Sequence, residues 1–333
     1  MVTQWTKRLL ALFLITPCLL ILSMPVIATA ASISEFTLAG GSVGGSWYPI
    51  ASAITELLNK ELKSNIASAK PGGGVSNPIL VSTGKMSAGF SYSSFLVVAT
   101  KSEDPYEGKP KMTNLRAISM LFPMYWQIIC DAKLPYNYIG EYIKNKYPVK
   151  LCPTKPGHGD YWVTEKAFDS MGAKLGDFNQ WGGKVDLGGL NELSSLYKDR
   201  HIDMAFTHNV VPLAAFSDMA VSRESKLLNV DDSILAYLNK EYNMKIGYIP
   251  ANSYKGMKEP VKTAGMSAVL FVRDDIPDDV IYALTKAIVE NKKYLTSVNK
   301  LFEDYDPATA WKDVGAPLHP GAAKYFKEKG YMK

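Results

Sequence analysis

The sequence predicts an α/β chain folded as two lobes around a cleft, and three observations predict it. Short apolar runs alternate with helical patterns from end to end, the order that builds α/β sheets. Three Gly-rich loops each follow a strand and open a helix, and open α/β sheets bind ligands outside the carboxyl ends of their strands. Two extended segments, Arg116 to Asp131 and Ser267 to Arg273, read as crossings between the lobes. The chain has 333 residues, 47% hydrophobic and 21% charged, which is globular composition for one large or two medium domains.

Residues 1–30 stand apart from the fold. Lys7 and Arg8 make a positive start, Leu9 to Ile27 is apolar with Pro17 inside it, and Ala28-Thr29-Ala30 is a small-x-small cleavage site. An uncleaved anchor is the alternative, because the apolar run is long for a signal peptide. Pro17 and the A-x-A end favour cleavage and a mature start at Ala31. Cys18 follows Thr16-Pro17, a poor lipoprotein acceptor. No later segment is long and apolar enough to span a bilayer, so an exported, soluble protein is expected. The formal net charge is +5, and two of the basic groups, Lys7 and Arg8, lie in the leader. No basic stripe occurs, which argues against a nucleic-acid partner. Cys130 and Cys152 each sit in an apolar run and are expected to be unpaired, although export would permit a disulfide.

Glu35 to Ala39 reads as a strand that ends in Gly40 to Pro49, GGSVGGSWYP. From Pro49, Ile50, Ile54, Leu57 and Leu58 recur at helical spacing, and Pro49 suits a first helical position. The loop therefore delivers the chain to a helix N-terminus, where free N–H groups attract anions. No Lys follows the glycines, so the loop is no P-loop, and their order is a poor dinucleotide fingerprint. No cofactor is expected. Asn65 to Ala69 is a second strand, running into Lys70-Pro71-Gly72-Gly73-Gly74, with Ser76 as N-cap and Gly84 as stop. Ala88 to Tyr92 is a third strand.

Pro123 divides the first crossing segment into two extended runs, Ala117 to Phe122 and Tyr125 to Cys130. Val149 to Cys152 then leads to the third loop, Lys155 to Asp160, with Asp160 as expected N-cap of a helix carrying Val163, Ala167 and Phe168. Ile202 to Phe206 is a strand ending at Thr207-His208-Asn209. Pro277 opens the clearest helix, with Asp278 and Asp279 at its N-terminus, apolar Val280, Ile281, Leu284 and Ile288, and Lys292 and Lys293 at its end.

Together the loops make a cleft lined by helix N-termini, hydroxyls and aromatics, suited to a small anion such as a carboxylate. His158 and Asp160 invite an acid–base reading with Ser42 or Ser76 as nucleophile, but nothing in the spacing supports a triad. His201 and His208 have no Cys or His partners at metal-ligand spacing, so no metal is expected. His319, between prolines in PLHPGA, reads as structural.

The chain resembles the TAXI-type solute receptors of tripartite TRAP transporters. The resemblance runs through GGSVGGSWYPIASAITELLNKEL, PGGGVSNPILVSTGKMSAGFSYSS, LRAISMLFPMYWQIIC, KPGHGDYWVTEKAF, RHIDMAF, IPANSY, VLFVRDDIPDDVIYALTKAI and PLHPGAAKYFKEKG, essentially the whole mature chain in order. It implies a periplasmic binding protein fold of type II-like form, with residues 31–123 and 269–333 as one lobe, 124–268 as the other, and a hinge of crossing segments. It implies a periplasmic, non-catalytic and monomeric receptor that captures glutamate, a related amino acid or another small organic acid for TRAP membrane permease subunits. A receptor reporting to a sensor kinase, and a hydrolase or transferase using His158 and a serine, are the alternatives.

The ligand contacts implied on the first loop are Ser42, Gly44, Gly45, Ser46, Trp47 and Tyr48, and on the second Ser76 and Asn77. Tyr92 and Ser93 follow the third strand, where the family often has Gln-Ser-Asp, so the acid that could meet a ligand amine is missing there. Gly157-His158-Gly159-Asp160 stands where Gly-Ser-Gly-Thr is usual, so that His158, Gly159 and Asp160 are implied contacts, and Thr207 and His208 complete the set. If Asp160 only caps its helix, an organic acid is favoured; if it points into the cleft, an amino acid becomes plausible again.

Overall fold

The structure is a computed structural model that describes residues 33–41, 46–156 and 158–333. The leader, with its expected cleavage site, lies outside the described residues.

The first part of the chain builds a parallel unit. Strand β1 (Phe36–Ala39) leads to helix α1 (Trp47–Leu62), β2 (Ala67–Lys70) to α2 (Ser76–Ser82), and β3 (Ala88–Tyr92) to α3 (Ser93–Lys101). β1 lies between β2 and β3 and runs parallel to both, so the three strand ends that carry loops and helix starts point the same way.

Strand β4 (Leu115–Asp131) follows. Pro123 does not split it into two runs, as the sequence suggested. The β7 strand introduced below joins β4 only from Tyr125 onward, and a register shift against β10 lies close by, at Ala268/Val269. Pro123 thus falls where little of the ladder needs its missing N–H.

After β4 come α4 (Ile139–Lys144), β5 (Lys150–Cys152), α5 (Gly159–Asp169), α6 (Asp177–Gln180), β6 (Lys184–Val185) and α7 (Leu190–Lys198). Next are β7 (Met204–Asn209), α8 (Ala214–Ser222), β8 (Ser225–Leu227), α9 (Asp232–Tyr242), β9 (Lys245–Ile249) and the return strand β10 (Val261–Arg273). Helices α10 (Asp278–Glu290), α11 (Lys292–Val298) and α12 (Pro320–Glu328) close the chain.

The sheet order is β2-β1-β3-β10-β4-β7-β5-β6, with β8 on β4 and β9 on β10. β4 and β10 are therefore the shared spine. Their antiparallel pairing runs from Gly265↔Tyr125 to Arg273↔Leu115. The return strand begins at Val261, earlier than the sequence pattern indicated, because Val261 to Gly265 pair with β9.

Two large cores flank the spine. One packs Ile50, Ile54 and Leu58 of α1 against Ile281, Leu284 and Ile288 of α10 and Phe326 of α12. This is the apolar face read from the periodicity, and Pro277 with Asp278 and Asp279 opens α10 as expected. Lys292 and Lys293, however, begin α11 rather than ending α10. The second core gathers Trp126, Phe168, Phe178 and Phe206 together with Phe95, Leu96 and Val98 of α3. Helix α3 thus packs on elements that follow the first crossing. Phe95 meets Trp162 edge-on at 5.0 Å, and the Trp162 indole donates to Asp104 Oδ2 at 2.7 Å beside the Lys166–Asp104 pair at 2.9 Å.

Three cap assignments are corrected. Helix α1 begins at Trp47 with Ser46 as N-cap, so Pro49 is its third residue. Val75 precedes α2 and Ser76 is its first residue. His158, in extended backbone, caps α5, and Asp160 lies inside its first turn. Cys130 and Cys152 are buried and free. His319 is structural: its Nδ1 accepts from the Gly321 N–H at 3.2 Å and its Nε2 lies 3.0 Å from the Ile276 carbonyl.

Candidate functional site

The loops after β1, β2 and β5 meet at one cavity of about 560 Å³. That volume lies in the range of pockets that enclose small molecules. Its wall includes Gly41, Ser46 and Trp47 from the first loop, and Gly72 to Ser76 from the second. His158, Gly159 and Asp160 come from the third, and Tyr92, Met124, Ile79, Leu190 and Asn209 complete it.

The second loop is held rigid by one side chain. Asn77 is fully buried; its carboxamide oxygen accepts from the Gly73 N–H at 2.9 Å, and its NH₂ group reaches the carbonyls of Ala39, Gly40 and Phe90 at 3.1, 2.8 and 2.8 Å. One residue thereby ties the first loop, the second loop and β3 together. Ser91 adds a hydroxyl bond to the Gly74 carbonyl at 2.6 Å, and the Gly72 N–H donates to Gly41 at 3.0 Å. Among the described residues, the N–H groups of Gly74, Val75 and Ser76 have no protein acceptor. They are the free donors at the start of α2.

Tyr92 stands between the loops. A Cβ built on Gly74 would come within 2.9 Å of its ring, and so would one on Gly159. Both loops therefore need glycine for the backbone to approach the ring. Trp47 packs on Tyr92 at 5.1 Å and on Phe90 at 5.9 Å, and is 8% exposed. It belongs to the core as well as to the cavity wall, so its truncation costs stability too.

Among the described residues, Asp160 is the single carboxylate on the wall, and no Lys or Arg lines it. It is 6% exposed and its Oδ2 accepts from the Thr207 hydroxyl at 3.1 Å. Burial pushes its pKa from 3.8 up to about 6, against the pull of the His208 backbone N–H, the Thr207 hydroxyl and its own N–H. Burial, and secondarily the Asp160 charge, pushes the Tyr92 phenol well above its ordinary value.

His208 lies behind Tyr92, edge-on at 5.1 Å. Its Nε2 accepts from the Met266 N–H at 3.0 Å, which places the ring proton on Nδ1, a buried atom with no partner among the described residues. Burial drives its pKa down to about 3, so the ring is neutral. This bond ties β7 to β10. Buried Gln127 fixes the next stretch, donating to the carbonyls of Asn209 and Val210 at 3.1 and 2.9 Å while accepting from the Tyr254 hydroxyl.

Of the residues singled out in the sequence, Ser46, Trp47, Ser76, Tyr92, His158, Gly159 and Asp160 line the cavity. Ser42, Gly44 and Gly45 lie outside the described residues. Tyr48, Asn77, Ser93, Thr207 and His208 do not form the wall. Asn77, Thr207 and His208 sit directly behind it, and Ser93 accepts from the Ser267 N–H at 3.2 Å. Strand alternation explains Asn209: it shares a face with Thr207, and His208 points the other way. Met124 and Leu190 carry no chemical signal in the sequence. The Ser76 hydroxyl donates to the Gly73 carbonyl at 3.2 Å, and among the described residues no serine bonds to His158. Nor do the described residues contain a group of acidic, His or Cys side chains able to hold a metal ion.

A family model described as the NMT1-like family matches residues 38–330, and the chain belongs to that family. Among solved structures, XAC2383 from Xanthomonas citri bound to ATP aligns with a TM-score of 0.52 and 10% identity, over 89% of this chain and 95% of that one. The same protein bound to chloride ion aligns with a TM-score of 0.50 and 11% identity, over 89% and 96%. The periplasmic binding protein BugD aligns with a TM-score of 0.48 and 15% identity, over 90% and 98%. The chain shares its mixed α/β fold with XAC2383.

Proposed function

We propose that this member of the NMT1-like family is an exported receptor of the TAXI type, which captures a small carboxylate-bearing solute and delivers it to a TRAP-type permease. The observation that carries the reading is the cavity itself: three strand-to-helix loops converge on about 560 Å³, and the second contributes the N–H groups of Gly74, Val75 and Ser76, which have no partner among the described residues. Backbone donors at a helix start suit a carboxylate without an arginine clamp. Ser46, Trp47, Ser76, Tyr92, His158, Gly159 and Asp160 are the proposed contacts. In this reading residues 31–123 with 269–333 form one lobe and 124–268 the other, closing on the solute about β4 and β10. The leader directs the chain to the periplasm.

A thermal-shift screen against amino acids and organic acids tests the reading, because a solute that binds only the folded chain raises its melting temperature by mass action. A saturable rise with one small carboxylate is expected. No shift with any amino acid or organic acid would contradict it.

A further inference from the structure

Asp160 is a buried acid with hydrogen bonds but without a counter-charge. Among the described residues it takes part in no ion pair, and no cation reaches the cavity wall from any of the three loops. The nearby lysines are engaged elsewhere, Lys155 with Glu192 at 3.8 Å and Lys166 with Asp104 at 2.9 Å. The carboxylate sits in the first turn of α5, so it also cancels the positive end of that helix dipole, leaving the third loop a poor site for an anion. A lone carboxylate on a cavity wall is costly when empty, and it gains most from a ligand that brings positive charge.

We propose that Asp160, beside the Tyr92 hydroxyl, is the subsite for a protonated nitrogen of the solute. Tyr92 makes no hydrogen bond among the described residues through its hydroxyl, and Thr207 fixes Asp160 Oδ2. The carboxylate is thus anchored to β7 while Asp160 lines the cavity wall. The two ends of the cavity then divide the work. Backbone N–H groups of the second loop take the solute's anionic end, and Asp160 takes its ammonium. The solute class is one that carries both charges, and the subsite rests on the receptor reading above.

The test compares matched solutes on wild type and Asp160→Asn by calorimetry, after the thermal-shift screen. The pairs are glutamate with glutarate, and the other proteinogenic amino acids with their deaminated acids; putrescine serves as an amine without a carboxylate. In wild type, one amino acid should bind and its deaminated partner should bind at least about 30-fold more weakly. Asp160→Asn should abolish that preference by weakening the amino acid's binding. A deaminated acid binding wild type as tightly as its amino acid overturns the subsite and leaves the receptor reading standing. So does a preference that survives in a folded Asp160→Asn protein. Putrescine binding that Asp160→Asn removes supports the subsite and contradicts the carboxylate reading, and no binding by any compound contradicts both.

Discussion

The Thr207 hydroxyl donates to Asp160 Oδ2 at 3.1 Å, joining β7 to the first turn of α5. The bond crosses between elements 47 residues apart in sequence and fixes the orientation of the cavity's only carboxylate among the described residues. Thr207→Val keeps the shape of the side chain and removes the donor. The hydroxyl favours the ionised form, so its loss should raise the Asp160 pKa above its value of about 6. Stability should fall by about 1 kcal/mol. Carboxyl-carbon NMR titration reads the first effect, and an unchanged or lowered pKa would contradict the account.

Asn77 should matter for the fold more than its type suggests. It is fully buried and satisfies three carbonyls and one N–H. Asn77→Ala leaves those groups without partners, and the cost should be about 3 kcal/mol or more. Urea unfolding measures it. A loss below about 1 kcal/mol would mean that the loops hold themselves.

The two glycines against Tyr92 predict a coupled effect. Gly74→Ala and Gly159→Ala each place a methyl group 2.9 Å from the ring before any relaxation. Both should weaken solute binding and lower the melting temperature. Tyr92→Ala in either background should cost less stability than Tyr92→Ala in wild type, since it also relieves the clash. Additive losses would show that the ring is not the obstacle.

Acid stability should carry opposite contributions from two buried groups. His208 has its pKa lowered from 6.5 to about 3, so the stability it contributes is complete above pH 6.5 and is lost as pH falls towards 3. Asp160 has its pKa raised from 3.8 to about 6, so its contribution is complete below pH 3.8 and is lost as pH rises through 6. Urea unfolding across this range should show a decline below pH 6.5 that flattens in His208→Gln. The decline should steepen in Asp160→Asn between pH 6 and 4. A His208→Gln protein with the wild-type slope would contradict the burial of a neutral ring.

Much of the fold could be read from periodicity. The apolar face of α10, the strand Ala88 to Tyr92 and the three strand–loop–helix junctions all follow from local pattern. Cap positions were harder. Pro49, Ser76 and Asp160 each have the residue type of a helix start, yet each helix begins earlier, because tertiary contacts of Trp47, Asn77 and Asp160 fix the backbone there. Pro123 looked like a break because its tolerance depends on which neighbour strand ends beside it. The site was legible where glycines, aromatics or titratable groups cluster, as at Ser76, Tyr92 and Asp160. Met124 and Leu190 reach the wall through topology alone, and Asn77 and His208 support it from behind. Residue type cannot separate those two positions from contact with a ligand.

The most direct test of the account asks whether the cavity binds the solute. Ser76 is exposed at the wall, so Ser76→Trp should fill the space while leaving the cores untouched. Calorimetric titration of wild type with the solute found by screening should give one molecule per chain. The Ser76→Trp protein, folded and melting close to wild type, should show no heat of binding. Undiminished one-to-one binding by that variant would place the solute elsewhere and contradict the central claim.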